Sequence, residues 1–268
     1  MNGMITVVTS CSAAMWEQSG LRFVESFGRF WPKDAKLIVV TEDAEIVKEC
    51  PRIEYLRWPD AQAFFKRHAT STRVRGLERH SSDHGWTPKK IAEKYNFRYD
   101  AWRFAKKVFS IAMVADDIEE RGRLFWLDFD VITFAPIGVD VLRRMLPEQC
   151  ALSCLDRGTY HSECGFVGYN LDHPMGREFV RAFAALYASD EVFGLQEWHD
   201  SWVFDWLRRK TNVPTHAIPH QSRHHPFVNS ELGRYMDHLK GARKENGTQR
   251  RELVTNHDVP YWQARARA

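Results

Sequence analysis

Residues Leu124–Phe134 read LFWLDFDVITF, and the organisation of the whole chain follows from how this stretch is taken. Four bulky apolar residues in a row have the character of a fully buried strand, and the run stops at two aspartates separated by one residue. Residues i and i+2 of a strand project from the same side, so Asp128 and Asp130 can meet one ion. Carboxylate oxygens are hard ligands suited to Mg²⁺ or Mn²⁺. The C-terminal end of a parallel strand is also where open α/β sheets place their ligands. Taken alone, the pair is equally compatible with a solvated turn.

The flanking sequence places this strand in an α/β pattern. Upstream, ITVVTSCS (5–12) is a β-branched run feeding a loop, and the apolar spacing Leu21, Val24, Phe27 and Phe30, closed by Pro32, predicts a helix over 18–30. KLIVVTED and the stretch 53–58 read as strands. A polar, basic stretch, 67–90, reads as a loop. Trp102, Ala105, Phe109, Ala112 and Met113 form a helical stripe running to about Glu119. Downstream, ALSCLD and GFVGYNLD read as strands, and 178–188 and 200–209 as helices. Alternating strands and helices predict an α/β fold with a mixed sheet flanked by helices.

Composition narrows the class. Of 268 residues, 44% are hydrophobic and 27% charged, the balance of a globular protein. No stretch reaches the apolar length of a membrane span, and MNGMITVVTS lacks the basic start and cleavage site of a signal peptide, so a cytoplasmic location is expected. Five scattered cysteines do not form a disulfide framework, and Cys150 with Cys154 lacks a second pair for zinc. Charge is uneven: Lys66–Lys107 holds 12 Lys/Arg against 4 Asp/Glu, whereas Asp116–Asp200 holds 7 against 16.

Further along, HLKGARK (238–244) is similar to the His-x-x-Gly-x-x-Lys element of glycosyltransferase family 8. With Leu124–Phe134 upstream, the chain resembles a nucleotide-sugar glycosyltransferase of the GT-A (Rossmann-like) fold over residues 1–245, with 66–98 as a basic arm and 246–268 as a tail. The resemblance implies that Asp128, Asp130 and His238 hold one cation, Mn²⁺ before Mg²⁺. It implies donor contacts from Thr9, Ser10, Ala13, Arg103, Asp128, Asn170, Gly241 and Lys244, with Lys106 or Lys107 as alternatives to Arg103. ECGFVGYN (163–170) resembles the strand that passes the donor sugar, and WHDSWVFD (198–205) the start of a catalytic helix, so Asp200 and Glu163 become candidate catalytic residues. Glu245 and Asn246 stand where the family has proline and tryptophan, and Ser201 where a glutamine is common.

The resemblance further implies retention of configuration and a nucleoside-diphosphate sugar, a UDP-sugar first, as donor. The acceptor is open. A saccharide is the family default, a protein hydroxyl is a second option, and a hydroxymethylated DNA base is favoured by the basic arm, its aromatic residues Trp86, Tyr95, Phe97, Tyr99 and Trp102, and the segment HQSRHH (220–225). His220, His224 and His225 are also weighed as zinc ligands. Two other classes compete. Asp128 and Asp130 fit the nucleophile and general acid of a haloacid-dehalogenase-like phosphatase, and every assignment above also fits a carbohydrate- or nucleotide-binding module without turnover.

Overall fold

A computed structural model describes residues 4–42, 52–58, 63–78, 95–118, 122–222 and 225–239. Strand β1 (Met4–Cys11) is central and almost wholly buried. It pairs in parallel with β2 (Ala35–Thr41) on one side and β4 (Gly122–Leu127) on the other, while β3 (Ile53–Arg57) adds in parallel outside β2. Beyond β4 the direction reverses: β7 (Glu163–Asn170) runs antiparallel to both β4 and β6 (Leu152–Leu155), and β8 (Thr215–Ala217) closes the edge. The seven strands lie in the order β3-β2-β1-β4-β7-β6-β8. The expected mixed α/β sheet is therefore present.

Alternation along the strands builds a core on each face of the sheet. Val8, Ile38, Val40, Leu124 and Trp126 face α3 (Ala101–Asp117), α5 (Pro174–Ala188) and α6 (Asp200–Thr211). Val7, Leu37, Val39, Phe125 and Leu127 face α1 (Leu21–Phe30) and α4 (Val139–Met145). In α3 the buried stripe is Ala101, Ala105, Val108, Ile111 and Val114, about a third of a turn from the stripe expected; Trp102, Ala112 and Met113 are only half-buried. The short helix α2 (Ala63–Arg67) leads into the basic stretch, which forms a 3-10 turn at Arg73–Arg75; Trp86 lies outside the described residues.

A second, two-stranded sheet positions the site. Residues Val131–Thr133 (β5) pair antiparallel with Met236–His238 (β9), with Val131 opposite His238. The pairing extends by one bond, from Leu239 N–H to the Asp130 carbonyl at 3.0 Å. Trp31 at the end of α1 donates from Nε1 to Thr133 Oγ1, also buried, and fixes β5 to the end of that helix. Cys11, Cys154 and Cys164 are buried, Cys150 is half-buried, and all four are free thiols. Among the described residues, no helix is long and apolar enough to cross a membrane.

Candidate active site

β1 has β2 on one side and β4 on the other; the chain runs outward from β1 through β2 to β3 and then crosses back to β4, so the strand order reverses beside β1. Such a switch point opens a crevice at the strands' C-terminal ends. A cleft of about 710 Å³ lies there, bordered by Ser10, Cys11 and Ser12 at the end of β1 and by Asp128–Asp130 after β4. Because β7 runs antiparallel to β4, its first residues return to this end; the Asp128 N–H donates to the Gly165 carbonyl at 2.9 Å.

Asp128 is oriented asymmetrically. Its Oδ1 accepts from Lys107 Nζ at 3.0 Å and from Trp126 Nε1 at 2.6 Å. That leaves Oδ2 directed to His238, whose Nε2 is 3.6 Å away. The same Nε2 is 2.9 Å from Asp130 Oδ1. On the far side of the ring, Nδ1 lies 3.0 Å from Glu163 Oε1. The ring thus presents one nitrogen to two carboxylates while a third carboxylate holds the other, the arrangement that orients a histidine ligand. Ligand atoms of Asp128, Asp130 and His238 all fall within 4.8 Å of one another.

Electrostatics reflect this crowding of carboxylates. Burial works against a charge on His238, but Asp130 and then Glu163 outweigh it and push the imidazole up to about 10. Burial likewise opposes the Lys107 ammonium, yet Asp128 and Asp200 hold its pKa well above the ordinary lysine range. Lys107 Nζ is 2.8 Å from Asp200 Oδ2 and also donates to the Cys164 carbonyl at 2.6 Å. Asp200, buried in the first turn of α6, is raised by burial and lowered more by Lys107 and His199, so it stays ionised. The lysine therefore links Asp128 to the α6 aspartate.

Glycine is required beside this centre. A Cβ on Gly165 would lie 2.4 Å from His238 Nδ1 and 3.2 Å from Glu163 Oε1, so the strand that carries Glu163 admits the imidazole only because position 165 has no side chain.

Of the residues singled out from sequence, Ser10, Arg103, Asp128, Asp130, Glu163, Asp200 and His238 border the cleft. Thr9 is fully buried within β1 and Ala13 is exposed; neither lines it. Asn170 is a correction. It ends β7 at the opposite end of the strands, paired with Arg123, where its Nδ2 donates to the Glu148 and Cys150 carbonyls and its Oδ1 accepts from the Asp172 N–H. It closes a turn and does not reach the cleft. Gly241, Lys244 and His224 lie outside the described residues. His220 Nε2 is engaged by the Asp156 carbonyl at 2.7 Å, and neither it nor His225 joins a ligand cluster among the described residues.

Several cleft residues carry no motif. Lys107 was one of three basic candidates on α3; the structure places it at the centre of the carboxylates, with Arg103 further out beside Tyr95 and Asp100. His161, Glu197 and His199 form a second cluster, assembled from two loops. Arg75 lies over the ring of Trp102, 3.7 Å from its centroid, on the basic side of the cleft.

No profile of a known protein family matches the chain, and no curated protein sequence matches it. Among solved structures the chain is similar to mouse xyloside xylosyltransferase 1 in its apo form, at 11% identity over 80% of this chain and 84% of that one, with a TM-score of 0.45. It is also similar to the apo form of glycosyltransferase GlyE from Streptococcus pneumoniae TIGR4, at 14% identity over 80% of this chain, with a TM-score of 0.43. It spans 45% of the length of GlyE.

Proposed function

We propose that the chain is a metal-dependent glycosyltransferase of the GT-A type, moving a hexose or pentose from a nucleoside-diphosphate sugar to an acceptor hydroxyl with retention of configuration. One observation carries this reading: Asp128 Oδ2, Asp130 Oδ1 and His238 Nε2 converge at the end of β4, on a cleft at the switch point of the sheet. The donor set fits a divalent ion, with two carboxylate oxygens and one oriented imidazole favouring Mn²⁺ over Mg²⁺. When bound, that ion supplies charge neutralisation for a departing diphosphate.

The chain's own groups divide the remaining work. Ser10, Cys11 and Ser12 border the side of the cleft where β1 ends, suited to the nucleoside of a UDP-sugar. Arg103, and Lys244 with Gly241 from the sequence element that follows β9, are assigned to the diphosphate. Lys107 fixes Asp128 and Asp200 in place and keeps Asp200 ionised. Asp200 then faces the sugar with a permanent negative charge, which stabilises positive charge at the anomeric carbon as its bond to the diphosphate breaks and the bond to the acceptor oxygen forms. The acceptor proton passes to an oxygen of the leaving diphosphate. Glu163, considered for a direct role, is occupied by His238 and acts through it.

The acceptor is a saccharide or a hydroxymethylated base in DNA. Support for the nucleic acid comes from the exposed ring of Phe97 with Arg75, Arg103 and Arg157 on the same cleft, a stacking and phosphate-binding composition. Incubating the protein and Mn²⁺ with a panel of nucleotide sugars and mixed acceptors, read by mass spectrometry, tests the proposal. A sugar-sized mass gain on one acceptor with release of nucleoside diphosphate is expected, and no sugar release with any donor defeats it. Affinity for the acceptor that falls steeply with salt identifies DNA; salt-insensitive binding identifies the saccharide.

A further inference from the structure

We infer a second metal site, separate from the Asp128 centre, in which His161, Glu197 and His199 hold a zinc-type cation at the wall of the cleft. His199 Nε2 lies 2.9 Å from Glu197 Oε2, and His161 Nε2 lies 3.5 Å from the same oxygen. The second separation is longer than an ordinary N–H···O hydrogen bond. It is close to the spacing of ligand atoms around a tetrahedral ion, where bonds of about 2.0–2.1 Å put neighbouring ligands about 3.3 Å apart, and the 2.9 Å hydrogen bond between His199 and Glu197 needs to lengthen by only about 0.4 Å to admit the ion. The two rings meet edge to face with centroids 4.9 Å apart, so both nitrogens approach one point without the rings clashing.

The three residues are held in place by buried structure behind the cleft wall. Glu197 and His199 flank Trp198, which is buried; its N–H donates to the Arg98 carbonyl at 2.7 Å and its own carbonyl accepts from Tyr187 OH at 2.7 Å. His161 precedes Ser162, whose N–H and hydroxyl both donate to the buried Asp205 carboxylate at 2.8 and 2.7 Å. Two rigid loops thus present their side chains toward each other. Arg98 approaches the other carboxylate oxygen, Oε1, at 3.6 Å and leaves Oε2 to the ion.

Ligand chemistry separates this cluster from the first. Two imidazoles and one carboxylate suit Zn²⁺, whereas the Asp128 centre is dominated by carboxylate oxygen. Three protein ligands leave a fourth position. His161 is 35% exposed and borders the cleft, so that position faces the cavity, where water or a hydroxyl of a bound molecule completes the shell. Its placement in the wall of the cleft gives the ion a hydroxyl-binding task.

Metal titration of the full chain tests the site without reference to turnover, using Co²⁺ as an optical probe for Zn²⁺. In an Asp128→Ala, Asp130→Ala variant, one equivalent of Co²⁺ should bind with the intense visible absorption of a four-coordinate site and be displaced by Zn²⁺. His161→Ala, a substitution at a partly exposed position, should weaken that binding at least tenfold, and His199→Gln should do the same. Loss of the Co²⁺ band in the aspartate variant, or unchanged binding in His161→Ala, overturns the assignment. The Asp128 reading stands or falls separately, on the Mn²⁺ dependence of sugar release.

Discussion

Glu163 Oε1 accepts from His238 Nδ1 across 3.0 Å, and both side chains are buried. The pair joins the start of β7 to the end of β9, two segments 75 residues apart in sequence, and it decides which imidazole nitrogen is left for Asp128 and Asp130. Replacing Glu163 removes the acceptor that fixes ring orientation and tautomer. Glu163→Ala is expected to weaken Mn²⁺ binding roughly 10–100-fold. Calorimetric titration of Mn²⁺ checks this, together with a fluorescence melt to show that the variant is folded.

Gly165→Ala makes the same point sterically. The new methyl would stand 2.4 Å from His238 Nδ1 and 2.8 Å from Cε1, and the ring must rotate away because the strand backbone cannot. Cation affinity should fall while the fold persists, since the remaining sheet contacts are untouched. Retained Mn²⁺ affinity in this variant would show that His238 is not a ligand.

Lys107 sits between Asp128 and Asp200 at 3.0 and 2.8 Å, with 11% of its side chain exposed. Removing the cation in Lys107→Met leaves two carboxylates without their partner. A loss of about 3–5 kcal/mol is expected from breaking a buried pair. Adding Asp200→Asn removes one of the stranded charges, so the double variant should lose less than the sum of the single variants. Urea unfolding of the four proteins in the cycle measures that coupling.

Protonation of His238 sets a pH dependence. Its folded value of about 10 lies above the ordinary 6.5, so the folded state binds this proton more tightly than the unfolded chain does. The resulting stabilisation is complete below about pH 6.5 and is lost as pH rises through about 10. Metal-free protein should therefore melt at progressively lower temperature from pH 7 to about 10, and His238→Gln should flatten that slope. Mn²⁺ competes with the same proton, so its apparent affinity should rise across the same interval.

Legibility of the site in the sequence followed the length of its elements. The apolar run before Asp128 marked β4 and its end because a buried strand needs such a run. His238 was reachable only through its spacing to Gly241 and Lys244; the strand that delivers it, Met236–His238, is too short to show a period, and nothing local indicates its pairing with Val131–Thr133. Asn170 shows the converse error. It lies close to Glu163 in sequence, but the two are the ends of one extended strand, about 23 Å apart at roughly 3.3 Å per residue. His161, Glu197 and His199 had no signal at all, because loops fixed by Trp198 and Asp205 assemble them. Lys107 was distinguishable from Arg103 and Lys106 only by which side of α3 faces β4.

The most direct measurement of the central claim is Mn²⁺-dependent release of nucleoside diphosphate from nucleotide sugars by the unmodified chain, beside Asp130→Ala and His238→Ala. Release by the unmodified protein that requires the cation and falls at least a hundredfold in both variants is the expected result. Release that continues at full rate in Asp130→Ala, or that proceeds equally in the presence of a chelator, would contradict the account.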